Sequence, residues 1–407
     1  MKLVLHIGTE KTGTTSLQRW VIRNREALIG EGIWPCEALG LPDNRALAVM
    51  ARKGDDPEDG FYRFGIHSPE QHAAFVERTR HALAEEVRAA SDAGARIFLI
   101  SNEHLQSRLY SQEMVDRVAE EVKRLFDDIE VICVLRPQID AVLSLASTEA
   151  RVGMKVNRRR FEWVDPAVHY FNYLGLLQRW AGPFGAERVL PIPFRRQPNI
   201  VAFFRSYFKL KRDDYVTLPR SNQGLDYRAV AFSNILDLHV FQSEGVVNPN
   251  RTIFFDDLPM EESLTLSRDF AQELHARFVA GNAAIAAAWP SITAEDLTPD
   301  WSRYPEVGTV DLLDTCDIGP VMRYVVQRLN AELHIARAQT EHQRARAAQA
   351  HGRLDNAVAF LEKADRKLDD AALFAPMAER AKALKKEFGD TAARVRAKAE
   401  SKSEAER

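Results

Sequence analysis

The sequence predicts an α/β fold: a parallel sheet flanked by helices, with a C-terminal helical extension. Three short apolar runs, at residues 3–7, 97–100 and 131–135, are each followed by polar or glycine-bearing residues and then by a helical pattern. Runs this short, rich in Val, Ile and Leu, read as strands buried on both faces. Strands that alternate with helices make a parallel sheet. From about Met322 onward the chain is instead rich in Ala, Arg, Lys and Glu and poor in aromatics, which reads as helix. The reading places one α/β domain over residues 1–325 and a helical hairpin or coiled-coil-like extension over residues 326–407.

A fourth apolar run, 189–192, is closed by Pro193 and predicts a further strand. Ser68-Pro69-Glu70-Gln71 is a helix start: a capping hydroxyl, a proline in the first turn and a glutamine three residues after the cap. That helix runs through Phe75, Val76, Leu83 and Val87 to Gly94. Asp165-Pro166 predicts another helix, with Tyr170, Tyr173, Leu174, Leu177 and Trp180 on one side. In the C-terminal part a turn at Gly352 separates two helical stretches. This pattern fits a single tetratricopeptide-type unit or a plain hairpin. Residues 397–407 read as a frayed end.

The chain has 407 residues, a formal net charge of −3 and three cysteines, Cys36, Cys133 and Cys316. No global basic field argues for nucleic acid or an anionic membrane as partner. The sparse, odd cysteine count suits a reducing compartment and lacks metal-ligand spacing. No stretch reaches about 18 uninterrupted apolar residues, and the apolar start is too short for a signal segment. The expectation is a cytoplasmic protein with no membrane span and no metal.

The most informative segment is Leu5-His6-Ile7-Gly8-Thr9-Glu10-Lys11-Thr12-Gly13-Thr14-Thr15-Ser16-Leu17. A strand runs into a small, hydroxyl-rich loop and then into a helix. Backbone N–H groups of such a loop, together with the helix N-terminus, form an anion site. A nucleotide-triphosphate loop reads G-x-x-x-x-G-K-[ST]. Here Gly8 and Gly13 have that separation, but Thr14 follows, and the loop lysine is Lys11. An NTPase needs its lysine at the helix start to reach the outer phosphates, so this displacement argues against ATP or GTP hydrolysis. The third strand ends Leu135-Arg136-Pro137, with Ser144 two helical turns further on. The arginine offers a bidentate fork for a second phosphate.

Both motifs resemble those of sulfotransferases that use 3′-phosphoadenosine 5′-phosphosulfate (PAPS), which have a P-loop NTPase-like fold. The resemblance covers roughly residues 1–290. It implies that Lys11 contacts the sulfonate and the bridging oxygen of the donor. It implies also that Thr12, Gly13, Thr14, Thr15 and Ser16 cradle the 5′-phosphate, and that Arg136 and Ser144 bind the 3′-phosphate. A Ser-x-Glu at the end of the second strand, Ser101-Asn102-Glu103, resembles the glutamate-using, often carbohydrate-directed branch, which implies Glu103 as general base, with His104 as the alternative. Arg220, in Arg220-Ser221-Asn222, resembles a late loop that closes over the nucleotide, and Asn282 resembles a late family position. No R-K-G tripeptide is present, which departs from the branch acting on phenols and steroids. The resemblance thus favours a glycan or bacterial metabolite as acceptor.

Other readings stand beside this one. Arg151, Lys155, Arg158, Arg159 and Arg160 form a solvated charged face or meet an anionic acceptor. The whole chain is alternatively a degenerate P-loop kinase or NTPase, or a non-catalytic nucleotide-binding module whose C-terminal helices recruit a protein partner or a second copy. His6, Cys133 and Trp20 read as core residues; His67 and His72 have no assigned partner.

Overall fold

The computed structural model describes residues 1–197, 199–217, 224–243, 246–248, 251–255, 258–259 and 261–405. It divides into two compact units: residues 1–148, 156–224 and 264–311 form the first, and residues 149–155, 225–263 and 312–407 the second. The boundary expected at residue 325 falls inside a helix, Gly319–Ala350.

The first unit is α/β. Its strands are β1 (Lys2–His6), β2 (Ile33–Pro35), β3 (Ile97–Ser101), β4 (Ile129–Leu135) and β5 (Val189–Pro193). They form one sheet in the order β2-β3-β1-β4-β5, and every pairing is parallel. The three apolar runs are therefore the three central strands. Period-2 alternation sends Leu3, Leu5, Phe98, Ile100, Val131 and Cys133 into one core, and Val4, Leu99, Ile132 and Val134 into the other. Both faces are covered, which is why the runs show no polar alternation. A fully buried aliphatic side chain here stabilises the fold by about 1.5–3 kcal/mol.

The helices that matter for the site are α1 (Thr14–Arg23), α2 (Pro69–Asp92), α3 (His104–Ser107), α4 (Gln112–Lys123), α5 (Gln138–Ala150), α6 (Tyr173–Phe184), α7 (Ile200–Tyr207) and α8 (Val279–Ala288). α1 and α7 cover one face through Leu17, Trp20, Ile200 and Phe204. α2, α4 and α6 cover the other through Leu83, Val118 and Trp180. Ser68 caps α2 as expected, its side chain accepting from the Gln71 N–H.

Two features differ from the sequence reading. The helix expected from Asp165-Pro166 begins at Tyr173, where the Asn172 side chain accepts from the Gly175 N–H at 2.7 Å. Asp165 uses its carboxylate in a local turn instead, accepting from the Ala167 N–H at 2.8 Å. Strand β2 was not anticipated, because three residues ending in proline carry almost no pattern.

In the second unit the helices are α9 (Gly319–Ala350), α10 (Leu354–Ala372) and α11 (Ala378–Ala405). Gly352, at φ 72°, makes the expected turn between α9 and α10. A third helix joins the hairpin. It runs to Ala405, well into the segment expected to fray, and buries Phe388 and Val395 against α9 and α10. Its Ala, Lys, Arg and Glu content has high helix propensity. Among the described residues no helix is long and apolar enough to cross a membrane.

Candidate functional site

The candidate site lies at the C-terminal ends of β1, β3 and β4. In an open parallel sheet the loops leaving these ends share one edge, which is where ligands bind. The loop after β1 keeps pairing with β4 beyond the last strand residue. Ile7 N donates to Ile132 O (2.9 Å), Thr9 N to Val134 O (2.9 Å), and Val134 N to Gly8 O (2.5 Å). The loop then turns sharply, with Gly8, Lys11 and Gly13 at φ values of 95°, 66° and 88°. Gly13 is the residue before α1; the Ser16 N–H donates to Gly13 O at 3.0 Å, so within the first turn it is the N–H groups of Thr14 and Thr15 that have no acceptor within the helix.

Gly8 answers a close approach. A Cβ there would come within 3.0 Å of the Glu103 Cα and 3.1 Å of its Cβ, and φ lies where side chains are strained. The end of β3 is thus packed directly against the loop after β1. The Glu103 carboxylate in turn accepts from Gln18 Nε2 at 2.6 Å. Gln18 is buried on α1 and also donates to Ser101 O at 3.3 Å.

Lys11 Nζ donates to Thr148 Oγ1 at 2.5 Å, and Thr148 donates to Ser144 O at 3.3 Å, one turn back on α5. The loop lysine therefore rests against the helix that carries Ser144. Arg136 comes to the same place from the end of β4: its Nη1 donates to Lys11 O at 3.2 Å, and its guanidinium stacks over Phe194 at 5.4 Å. Burial lowers the Arg136 pKa from its ordinary value, Asp140 opposes this, and Arg303 adds to the lowering. A guanidinium in that setting gains stability from an incoming anion.

Thr14, Thr15 and Ser16 form the first turn of α1 as expected. Thr12 departs from the expected cradle: it is fully buried, and its hydroxyl donates to Thr9 O at 2.6 Å, so it shapes the loop from within. Asn282 is buried in a reciprocal amide pair with Gln138 (2.8 and 3.3 Å), which ties α8 to the start of α5. Arg220 and its neighbours Ser221 and Asn222 lie outside the described residues. Of the basic run, Arg158 pairs with Asp311 at 3.1 Å and lies over Phe270, and Arg160 lies over Trp163; Arg151 and Lys155 belong to the second unit.

His104 sits between two carboxylates. Its Nδ1 is 3.6 Å from Glu10 Oε1, and its Nε2 is 3.7 Å from Asp43 Oδ2. Burial alone would lower its pKa, but Asp43 and Glu10 raise it above the usual histidine value. For Glu10, burial pushes upward, and His104, Ser107 and Arg108 hold the carboxyl down to about 2. For Asp43, burial again pushes upward, and His104 and Arg63 bring it to about 2. Tyr170 donates to Glu10 Oε2 at 3.1 Å, and Gln106 accepts from the Glu10 N–H at 3.2 Å. Nearby, the buried Arg45 pairs with Glu58 and, at 2.6 Å, with Asp59. Burial and the neighbouring Asp59 push Glu58 up to about 7.

The carboxylate shifts contribute stability that is complete above about pH 4.5 and is lost as pH falls toward 2. The raised His104 contributes stability that is complete below about pH 6.5 and is lost as pH rises through its folded value. The cluster is therefore strongest between these limits. His104→Gln is expected to cost on the order of 2 kcal/mol near pH 5 to 6. The gap from wild type closes at more acid and more alkaline pH. Urea unfolding across pH checks this; a pH-independent gap would make the loss one of packing.

Gln18, Glu10, Asp43, Arg108, Thr148 and Tyr170 were not anticipated from the sequence. Only Thr148 had a usable signal, being four residues after Ser144 and so on the same helix face. Two surface depressions, of about 380 and 300 Å3, are lined by none of these site residues. One lies along α7, and the other is at Lys123, Ile129 and Arg188, where β4 and β5 begin. No family model, curated protein or solved structure matches this chain.

Proposed function

We propose that the first unit is a PAPS-dependent sulfotransferase with a P-loop NTPase-like fold, acting on a hydroxyl or amine of a glycan or small metabolite. The observation that carries this reading is the meeting of Arg136 with the Lys11 loop, through a 3.2 Å hydrogen bond at one sheet edge. A bis-phosphorylated nucleotide needs two cationic anchors within one molecule's length. The strand order, with β1 between β3 and β4, supports the fold assignment by setting the loop at the centre of that edge.

In this reading the 5′-phosphosulfate lies on the loop and on the first turn of α1, and the 3′-phosphate lies by Arg136 and Ser144. The acceptor oxygen or nitrogen attacks sulfur in line, and the bond from sulfur to the bridging oxygen breaks. The electron pair leaves on the phosphate oxygen, where the Lys11 ammonium stabilises it. Glu103 takes the acceptor's proton. Gln18 fixes the carboxylate that does so. His104, held in its charged form by Glu10 and Asp43, serves as a base only above its raised pKa and is the weaker choice at neutral pH.

Thermal unfolding with the product 3′,5′-bisphosphate (PAP) against ADP tests the reading. A ligand that binds only the folded state stabilises it by about 2.7 kcal/mol at a hundred times its Kd. The expected result is stabilisation by PAP with little or none by ADP. Stabilisation by ADP with magnesium, but not by PAP, would make the chain a kinase or NTPase. Indifference to both would leave a module that binds neither nucleotide.

A further inference from the structure

We infer that the full chain forms a parallel homodimer through α9, whose exposed apolar stripe is built to face its own copy. α9 is two-sided. Arg328, Ala331, Ile335, Ala338 and Ala345 point into its own unit and are buried, with Ala331, Ile335, Ala338 and Ala345 packed in the cores formed with α10 and α11. On the opposite side, Met322, Val326, Leu329 and Leu333 are between 42 and 63 % exposed. Their spacing of four, three and four residues is a heptad seam. It continues through Ala336, Thr340, Gln343 and Ala347, all exposed, so the seam stays on one side of the helix beyond its apolar part.

The residue types and charges select the occupant. In heptad terms Val326 and Leu333 take a positions, and Met322, Leu329 and Ala336 take d positions. Val326 at a with Leu329 at d is a combination that, in parallel coiled coils, favours two strands. The seam is flanked by Arg323, Asn330 and Arg337 on one side and by Glu332 and Gln339 on the other. A parallel pair brings Glu332 of one copy opposite Arg337 of the other, an attractive contact. Glu332 also accepts from Arg380 of its own chain at 2.9 Å, so it would lie between two guanidinium groups. An antiparallel pair centred on the apolar residues would set Arg323 near Asn330 of the other copy and would forfeit the Glu332–Arg337 contact. The apolar part of the seam covers about three turns, roughly 16 Å. That length suits a reversible dimer more than an obligate one.

Light scattering on the full chain at tens of micromolar should give twice the monomer mass of 46.1 kDa. The double variant Val326→Glu, Leu333→Glu should give the monomer mass, with circular dichroism unchanged because both side chains are exposed. A monomeric wild type, or a dimer that survives the double variant, overturns the proposal. Strand direction is read separately. Met322→Cys and Leu333→Cys, made one at a time, should each crosslink to itself on oxidation, while the wild type with Cys36, Cys133 and Cys316 does not. Crosslinking only when the two variants are mixed would make the pair antiparallel and would equally overturn it. Because these readouts use no nucleotide, they stand or fall independently of the transferase reading.

Discussion

Replacing Lys11 by alanine is expected to reduce sulfonate transfer by about 10²- to 10³-fold, the cost of removing one preorganised charge from a transition state. Release of PAP from PAPS with water as the slow acceptor measures it without knowledge of the natural acceptor. The fold should survive. Lys11 is partly exposed, and Thr148, to which it donates, is a surface residue. Alanine is the informative substitution because φ at this position is 66°. A glycine there would relieve backbone strain and change loop stability together with charge. Wild-type turnover in Lys11→Ala would remove the donor assignment.

Arg136→Ala should weaken PAPS by about 10- to 100-fold, the loss of a charge-assisted hydrogen bond worth about 1.5–3 kcal/mol. Adenosine 5′-phosphosulfate, which lacks the 3′-phosphate, should lose far less. The comparison between donors matters because Arg136 also holds the loop through Lys11 O. Loosening the loop weakens both donors alike, and only the remaining difference reports on the 3′-phosphate. Competition binding with the two nucleotides measures both effects in one variant. An equal loss for the two would assign the arginine to loop support alone.

The parts of this architecture that were readable in the sequence are those specified by neighbours along the chain. Residues 3–7, 97–100 and 131–135 became strands because burial on both faces leaves a continuous apolar run. The loop from Gly8 to Ser16 was readable because its glycines, lysine and hydroxyls are contiguous. β2 was not, because Ile33–Pro35 is too short to carry a period. The Asp165-Pro166 signal was genuine chemistry placed eight residues early: the carboxylate capped a turn and Asn172 capped the helix. Nor was the His104 cluster foreseeable. Residues 10, 43, 104, 108 and 170 reach one place from four separate stretches of chain, and only His104 and Arg108, one helical turn apart, are linked by spacing.

Contact between Gly8 and the backbone of Glu103 has a consequence for specificity. The loop after β1 and the end of β3 approach so closely that a Cβ on Gly8 would lie 3.0 Å from the Glu103 Cα. Their separation is a hard stop, whereas a hydrogen bond would stretch. In the proposed transferase the spacing between the Lys11 loop and Glu103 is then set by one missing methyl group, and widening the choice of acceptors would require changes elsewhere in the site.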